Sequence, residues 1–318
     1  MNIFLANPRG FCAGVKRAIN IVNAALKIWG KPIYVNHEIV HNTYVTSCLK
    51  SQGVIFSPDI DLIPVGSILI ISAHGVSKNF KHRAIKRRLK IIDATCPLVK
   101  KVHKEVSQAS DLGFEVILIG TSEHPEIKGT MGQYNNANGN IYLIESIKDV
   151  SQLKVKQPNN LTFMTQTTLS LEVINPIISE LRRKYPNITN PKNPDICYAT
   201  INRQIAVKEL SKISDAIIII GSKHSSNSNQ LFKLAKKTKK NSILIDSKND
   251  ININHWDNNI KSIGIAAGAS TPNVVIEKVI KKLKKIKHST VTEISGIKEN
   301  IIFHMPKELK KIKNITNL

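Results

Sequence analysis

Short apolar runs recur along the chain, and most give way to a loop of small, polar or imidazole residues before an amphipathic stretch begins. The runs Ile3–Ala6, Ile33–Val35, Ile68–Ser72, Val116–Gly120, Ile141–Ile144, Leu161–Met164, Ala216–Ile220, Ile243–Ile245 and Ile263–Ala266 have the length of strands. Helical spacing follows several of them: Val15, Ala18, Ile19, Val22 and Leu26 after the first, and Val99, Val102 and Val106 further on. Apolar strands alternating with amphipathic helices predict an α/β fold of mainly parallel sheets covered by helices. Such sheets bind ligands beyond the carboxyl ends of their strands, so chemistry is expected in the loops that follow these runs.

A chain of 318 residues is long enough for two or three modules. Cys12, Cys96 and Cys197 divide it at intervals of 84 and 101 residues, which predicts three similar α/β modules. The first spans 1–97 and carries the Cys12 loop, His41 and His74. The second spans 98–195 with His124, Glu126 and Thr167, and the third spans 196–285 with Cys197, Ser225, Asn227 and Ser270. Residues 286–318 form a basic return segment expected to pack on the body through Ile301, Ile302, Phe303 and Met305.

Composition narrows the class. The 42% hydrophobic content fits a globular core. No apolar run approaches the roughly 18–20 residues that cross a bilayer, and MNIFLANPRG is not the start of a signal peptide. A cytoplasmic protein without a membrane is expected. The net charge of +23 comes partly from lysines at 233–240, 278–287 and 306–313. Such runs are usually solvated surface, though they also attract phosphorylated substrates or acidic proteins. With 5% aromatic residues, the chain lacks the stacking platforms of a nucleic-acid binder.

Three of the four cysteines occupy one kind of place. Cys12 in ANPRGFCAGVKRAI, Cys96 in DATCPLVKKV and Cys197 in DICYATINRQ each stand just ahead of helical spacing. Pro97 after Cys96 suits a first helical position. The positive end of a helix lowers a thiol's pKa and favours the thiolate, which is the form that binds metal. Cys48, in TYVTSCLKSQG, shares a helical face with Val45 and Leu49 and reads as core packing. Without a C-x-x-C pair or a secretion signal, no disulfide framework or zinc knuckle is expected. Three soft ligands suit zinc or an iron–sulfur cluster. A cluster on three cysteines would leave one iron open to act as a Lewis acid.

Other loops carry anion-binding side chains. These are NHEIVHN with His41, SAHGVS with His74 and Gly75, SEHPEIKGT with His124 and Glu126, and MTQTTLS with Thr167. GSKHSSNSN adds Ser225, Ser226 and Asn227, and AAGASTPN adds Ser270. Serines, asparagine and backbone N–H groups at a helix N-terminus bind phosphate. None of these loops is a Walker A or dinucleotide fingerprint, so no nucleotide is implied. His37, His82, His103, His224, His255, His288 and His304 read as structural.

Taken in order, ANPRGFCAGVKRAI, NHEIVHN, SAHGVS, DATCPLV, HPEIKGTMGQ, TQTTLS, ICYATINRQ, GSKHSSNSN and AGASTP run over nearly the whole chain. The set resembles the 4-hydroxy-3-methylbut-2-enyl diphosphate reductase family, which closes the methylerythritol phosphate route to isoprenoids. The resemblance implies three α/β modules around a central cavity. There Cys12, Cys96 and Cys197 would hold a [4Fe–4S] cluster whose open iron takes the substrate's hydroxyl. It implies a diphosphate held by His41, His74, His124, Ser225, Ser226, Asn227 and Ser270, with Thr167 also binding substrate and Glu126, with Thr167, delivering a proton. It also implies a monomeric oxidoreductase that receives electrons from flavodoxin or ferredoxin. Glu123, Lys128, His224 and Ile201 depart from the family's pattern.

Overall fold

The computed structural model describes residues 1–239, 241–252, 259–286 and 288–310, the side chain of Lys310 excepted. His255, Lys240, Lys287, Lys311 and Lys313, singled out above, lie outside the described residues. The chain begins β1 (Asn2–Leu5), α1 (Ala13–Trp29), β2 (Ile33–Val35), α2 (Thr43–Ser51), β3 (Val54–Phe56), β4 (Ile68–Ile71), α3 (Lys78–Lys86), β5 (Lys90–Asp93). It continues α4 (Pro97–Asp111), β6 (Glu115–Ile119), α5 (Pro125–Met131), β7 (Ile141–Ile144), α6 (Ile147–Gln152), β8 (Leu161–Thr165), α7 (Leu171–Lys184). It ends α8 (Tyr198–Ile213), β9 (Ala216–Ile220), α9 (Ser226–Thr238), β10 (Ser242–Ile245), β11 (Ser262–Ala267), α10 (Asn273–Ile286), β12 (Thr290–Glu293), α11 (Lys307–Lys310).

The strands form three sheets, ordered β10-β9-β11-β1-β12, β3-β2-β4-β5 and β7-β6-β8. Every strand pairing is parallel, as the apolar runs predict. The chain divides into two compact units. The first comprises residues 1–16, 40–49 and 198–302, and the second 17–39, 50–197 and 303–318.

The first unit is built on the five-stranded sheet. Alternate residues of Ala216–Ile220 serve opposite faces: Ile218 and Ile220 pack with Val275, Val279 and Leu283 of α10. Ile217 and Ile219 pack with Val207 and Leu210 of α8 and Leu231 and Leu234 of α9. Both faces are covered, which is why this strand reads as one continuous apolar run. Each fully buried isoleucine contributes about 1.5–3 kcal/mol.

The second unit holds the other two sheets. Ile60, Ile63, Leu69, Ala84 and Leu89 form a cluster on the sheet of β2–β5. Val102, Val106, Val116, Leu118, Ile127 and Met164 join α4 and α5 to the sheet of β6–β8. No helix of the described residues is long and apolar enough to cross a membrane.

Two parts of the expected division meet a different arrangement. β1 does not join the strands that follow it; it pairs with β11 on one side and β12 on the other. Parallel pairing is non-local, so an open edge on β11 outcompetes the strands nearer in sequence. The return segment contributes β12 to that sheet. Ile301 and Ile302 are exposed rather than packed, and the segment is anchored by buried Leu309.

Candidate active site

The central strands of each sheet end in the loops singled out above. In the first unit, the loop after β1 carries Cys12, that after β9 carries Ser225, Ser226 and Asn227, and that after β11 carries Ser270. β9 and β11 lie side by side although β10 separates them in sequence, which is the switch point where such sheets bind ligands.

These residues are linked by hydrogen bonds. Cys12 N donates to Ala269 O at 3.2 Å, and Ala269 N donates to Asn227 Oδ1 at 3.0 Å. Asn227 Nδ2 donates to Thr200 Oγ1 at 3.4 Å. Ser270 Oγ donates to the carbonyl of buried His41 at 3.0 Å. Ser225 caps α9, its Oγ accepting from Ser228 N at 3.3 Å, and Ser226 opens that helix. Tyr198 stands beside Cys12: burial first, and the nearby thiol second, push its phenol up to about 12. It therefore stays protonated, and its oxygen accepts from Ala13 N at 3.4 Å.

The second unit gathers the remaining candidates. The rings of His37, His74 and His124 meet edge to face, with centroids 6.0 Å and 5.5 Å apart. His37, read as structural, is thus part of the imidazole row. A cleft of about 380 Å³ beside it is lined by His37, Gly75, Ser77, Glu123 and Lys128 among others. His124 caps α5, its Nδ1 accepting from Glu126 N at 3.2 Å.

The Glu126 carboxylate is buried, at 4% exposure. It accepts from Thr167 N at 2.7 Å and from Thr167 Oγ1 at 3.1 Å. Thr167 O in turn accepts from Cys197 N at 3.0 Å, so the acid is tied through Thr167 to a cysteine loop. Burial dominates the acid's titration. It outweighs the two Thr167 hydrogen bonds, which favour the anion, and with help from Asp195 it raises the pKa to about 7.

Gly75 has a φ of +77°, and a Cβ there would meet the His103 ring at 2.6 Å and Thr95 at 3.0 Å. His103 is kept neutral, its pKa lowered to about 4 chiefly by burial. Gly75→Ala is expected to cost about 2–4 kcal/mol through backbone strain and overpacking, read as a lower urea midpoint.

Two departures from the family pattern explain each other. Lys128 Nζ pairs with Glu123 Oε2 at 2.8 Å, and Glu123 is not among the residues with positive φ, so its turn does not require glycine.

The three cysteines fit thiolate chemistry. None is in a disulfide, and all are half-buried. Cys96 is the N-cap of α4 with Pro97 behind it, Cys12 O accepts from Lys16 N in the first turn of α1, and Cys197 immediately precedes α8. Each cysteine therefore stands at the N-terminal end of a helix, the positive end of its dipole. Cys48 lies inside α2, half-buried rather than in the core, beside Tyr44. Sequence reading passed over Thr200, Asp195 and Tyr198. Only the position of the last two beside Cys197 could have signalled them.

Comparison with known proteins agrees. A family model described as LytB protein matches residues 3–284. The 4-hydroxy-3-methylbut-2-enyl diphosphate reductase of Hamiltonella defensa is 56% identical over 311 residues, covering 98% of this chain and 97% of that one. The enzyme of the same name from Glaesserella parasuis is 52% identical over 310 residues, covering 98% of each. The solved E-1-hydroxy-2-methyl-but-2-enyl-4-diphosphate reductase of Plasmodium falciparum superposes with a TM-score of 0.93 at 36% identity, covering 99% of this chain and 98% of that one. With identity of this order from end to end, the chain belongs to the LytB family of 4-hydroxy-3-methylbut-2-enyl diphosphate reductases.

Proposed function

We propose that the chain carries out the reaction for which its relatives are named. It reduces 4-hydroxy-3-methylbut-2-enyl diphosphate with two electrons and two protons, breaking the C–O bond of the hydroxyl. The products are water and isopentenyl or dimethylallyl diphosphate. The observation that carries this reading is Glu126, a buried carboxyl whose pKa burial raises to about 7 and which is joined through Thr167 to the Cys197 loop.

Cys12, Cys96 and Cys197 would hold a [4Fe–4S] cluster, which their thiol donors, outside any disulfide, and their helix-end positions suit. When bound, the cluster supplies electrons and an iron without a protein ligand as Lewis acid. The chain's residues supply the rest. His41, His74, His124, Ser225, Ser226, Asn227 and Ser270 would hold the diphosphate, and Thr167 would also contact the substrate. The N-terminus of α9 adds backbone donors. Glu126 gives its proton to the departing oxygen, and the two hydrogen bonds from Thr167 fix the carboxyl and stabilise the anion left behind.

No nicotinamide or flavin loop is present in the sequence, so electrons come from a protein carrier such as flavodoxin or ferredoxin. The net charge of +23 would steer an acidic one. Four cysteines outside any disulfide suit the cytoplasm. The test is anaerobic turnover of the hydroxylated diphosphate with a reduced dye as electron source. The expected result is iron-dependent formation of the two isoprenoid diphosphates. Phosphate release without electrons would instead identify a hydrolase and overturn the reading.

A further inference from the structure

The helix behind each cysteine carries a buried or half-buried cation one and a half turns in. Each cation is engaged with the loop of another cysteine. Arg17 lies five residues after Cys12, and it donates to three carbonyls of the segment leading into Cys96: Thr95 O at 3.1 Å, Ala94 O at 3.3 Å and Asp93 O at 3.4 Å. Lys101 lies five residues after Cys96. It donates to Asn193 O at 2.7 Å, Pro194 O at 3.1 Å and Asp195 Oδ1 at 2.8 Å, in the segment leading into Cys197. Arg203 lies six residues after Cys197, and it donates to Gly10 O from Nη2 at 2.7 Å and from Nε at 3.2 Å, in the segment leading into Cys12.

The pattern is cyclic along the chain. The helix of Cys12 serves Cys96, that of Cys96 serves Cys197, and that of Cys197 serves Cys12. Every strap lies within one compact unit.

Backbone accounting explains the need. Each cysteine's own N–H is already bound, to Ala269 O, Ala73 O and Thr167 O respectively. Apart from Asp93, which ends β5, the carbonyls that these cations meet belong to loop residues. Those of Gly10, Ala94 and Thr95 are buried and require donors, whereas Asn193 and Pro194 are exposed and it is the buried Asp195 carboxylate that requires Lys101. A guanidinium or ammonium offers several at once. Arg17 and Arg203 are 8% and 1% exposed, and the Asp195 side chain that Lys101 meets is fully buried. Two straps also take in the C-terminal segment: Arg17 Nε donates to His304 O at 2.7 Å, and Arg203 Nη1 meets Glu299 Oε1 at 2.9 Å.

We propose that Arg17, Lys101 and Arg203 are positioning residues for the cluster ligands, each fixing the loop of the cysteine that its own helix does not carry. This rests on the reading that the three cysteines hold a cluster. The test is amide hydrogen exchange, followed by mass spectrometry on the full-length chain, with iron and after its removal.

Arg17→Met should speed exchange about tenfold or more in the Cys96 loop, as expected for losing several charge-assisted hydrogen bonds. Lys101→Met should do so in the Cys197 loop, leaving the Cys96 loop near wild type. Arg203→Met should do so in the Cys12 loop, with a smaller rise at the start of α8, where Arg203 Nη1 also donates to Ala199 O at 2.9 Å. The iron-loaded variants should also lose iron to a chelator faster, and Lys101→Arg should restore both readouts. Should a methionine variant not fold, Arg17→Lys and Arg203→Lys retain charge while losing the fork, and the same crossed order should appear at smaller amplitude. Exchange that rises equally in all three loops, or chiefly in the loop of the cation's own helix, would overturn the proposal. A chain that never binds iron yet shows the crossed pattern would refute the cluster reading and leave the straps standing.

Discussion

Glu126→Gln is expected to lower turnover by about two to four orders of magnitude, the usual worth of a positioned general acid. Iron content and substrate binding should stay near wild type. Glutamine keeps the shape and still accepts from Thr167 N, so the loops around it should not move. What it lacks is a proton to give.

The pH profile sharpens this expectation. The wild-type acid titrates near 7, so its rate should fall as pH rises through that value, while the residual rate of the glutamine variant should be flat. Stability follows the same group. The folded state holds a proton that the unfolded chain has lost above about 4.5, so stability falls as pH rises from there to about 7. The difference is roughly 3 kcal/mol at most, and Glu126→Gln should remove that slope. Near-normal turnover in this variant would end the proton role, whatever its stability.

The second large effect concerns the cysteines. Cys12→Ser, Cys96→Ser and Cys197→Ser should each lose bound iron and colour after anaerobic purification, because a serine hydroxyl does not ionise to replace a thiolate. Cys48→Ser should retain both. Cys48 sits inside α2 rather than ahead of a helix, and its nearest described effect is a hydrogen bond that raises the pKa of Tyr44. Iron retained in Cys12→Ser, or lost in Cys48→Ser, would redraw the ligand set.

Much of the fold was legible because burial on both faces writes itself into composition. Ala216–Ile220 and Glu115–Ile119 are buried along their whole length, and apolar residues suit such strands; Glu115, the exception, accepts hydrogen bonds from Tyr142 Oη and from the N–H groups of Lys156 and Gln157. The short outer strands were not legible. Thr290–Glu293 is largely exposed and carries no hydrophobic signal, whereas Val54–Phe56 is an apolar triplet, as short as Ile33–Val35, that the sequence reading passed over. The partner of β1 was beyond reach for another reason: parallel pairing is decided by chain segments far apart in sequence.

The site divides in a similar way. Cysteine, histidine and serine at strand ends announce their chemistry by type, and the loops fall where the sheet order reverses. Thr200 and Asp195 are common residue types whose roles appear only through their partners, Asn227 in one case and Thr165 and Lys101 in the other. Arg17, Lys101 and Arg203 read in the sequence as ordinary helix cations; their reach to distant loops is a property of the fold.

The most direct measurement is the Mössbauer spectrum of the anaerobic protein with and without the hydroxylated diphosphate. Three protein thiolates on four irons should give one iron site distinct from the rest, and substrate should shift that site alone. A spectrum without iron, or four equivalent irons that substrate leaves unmoved, would contradict the account.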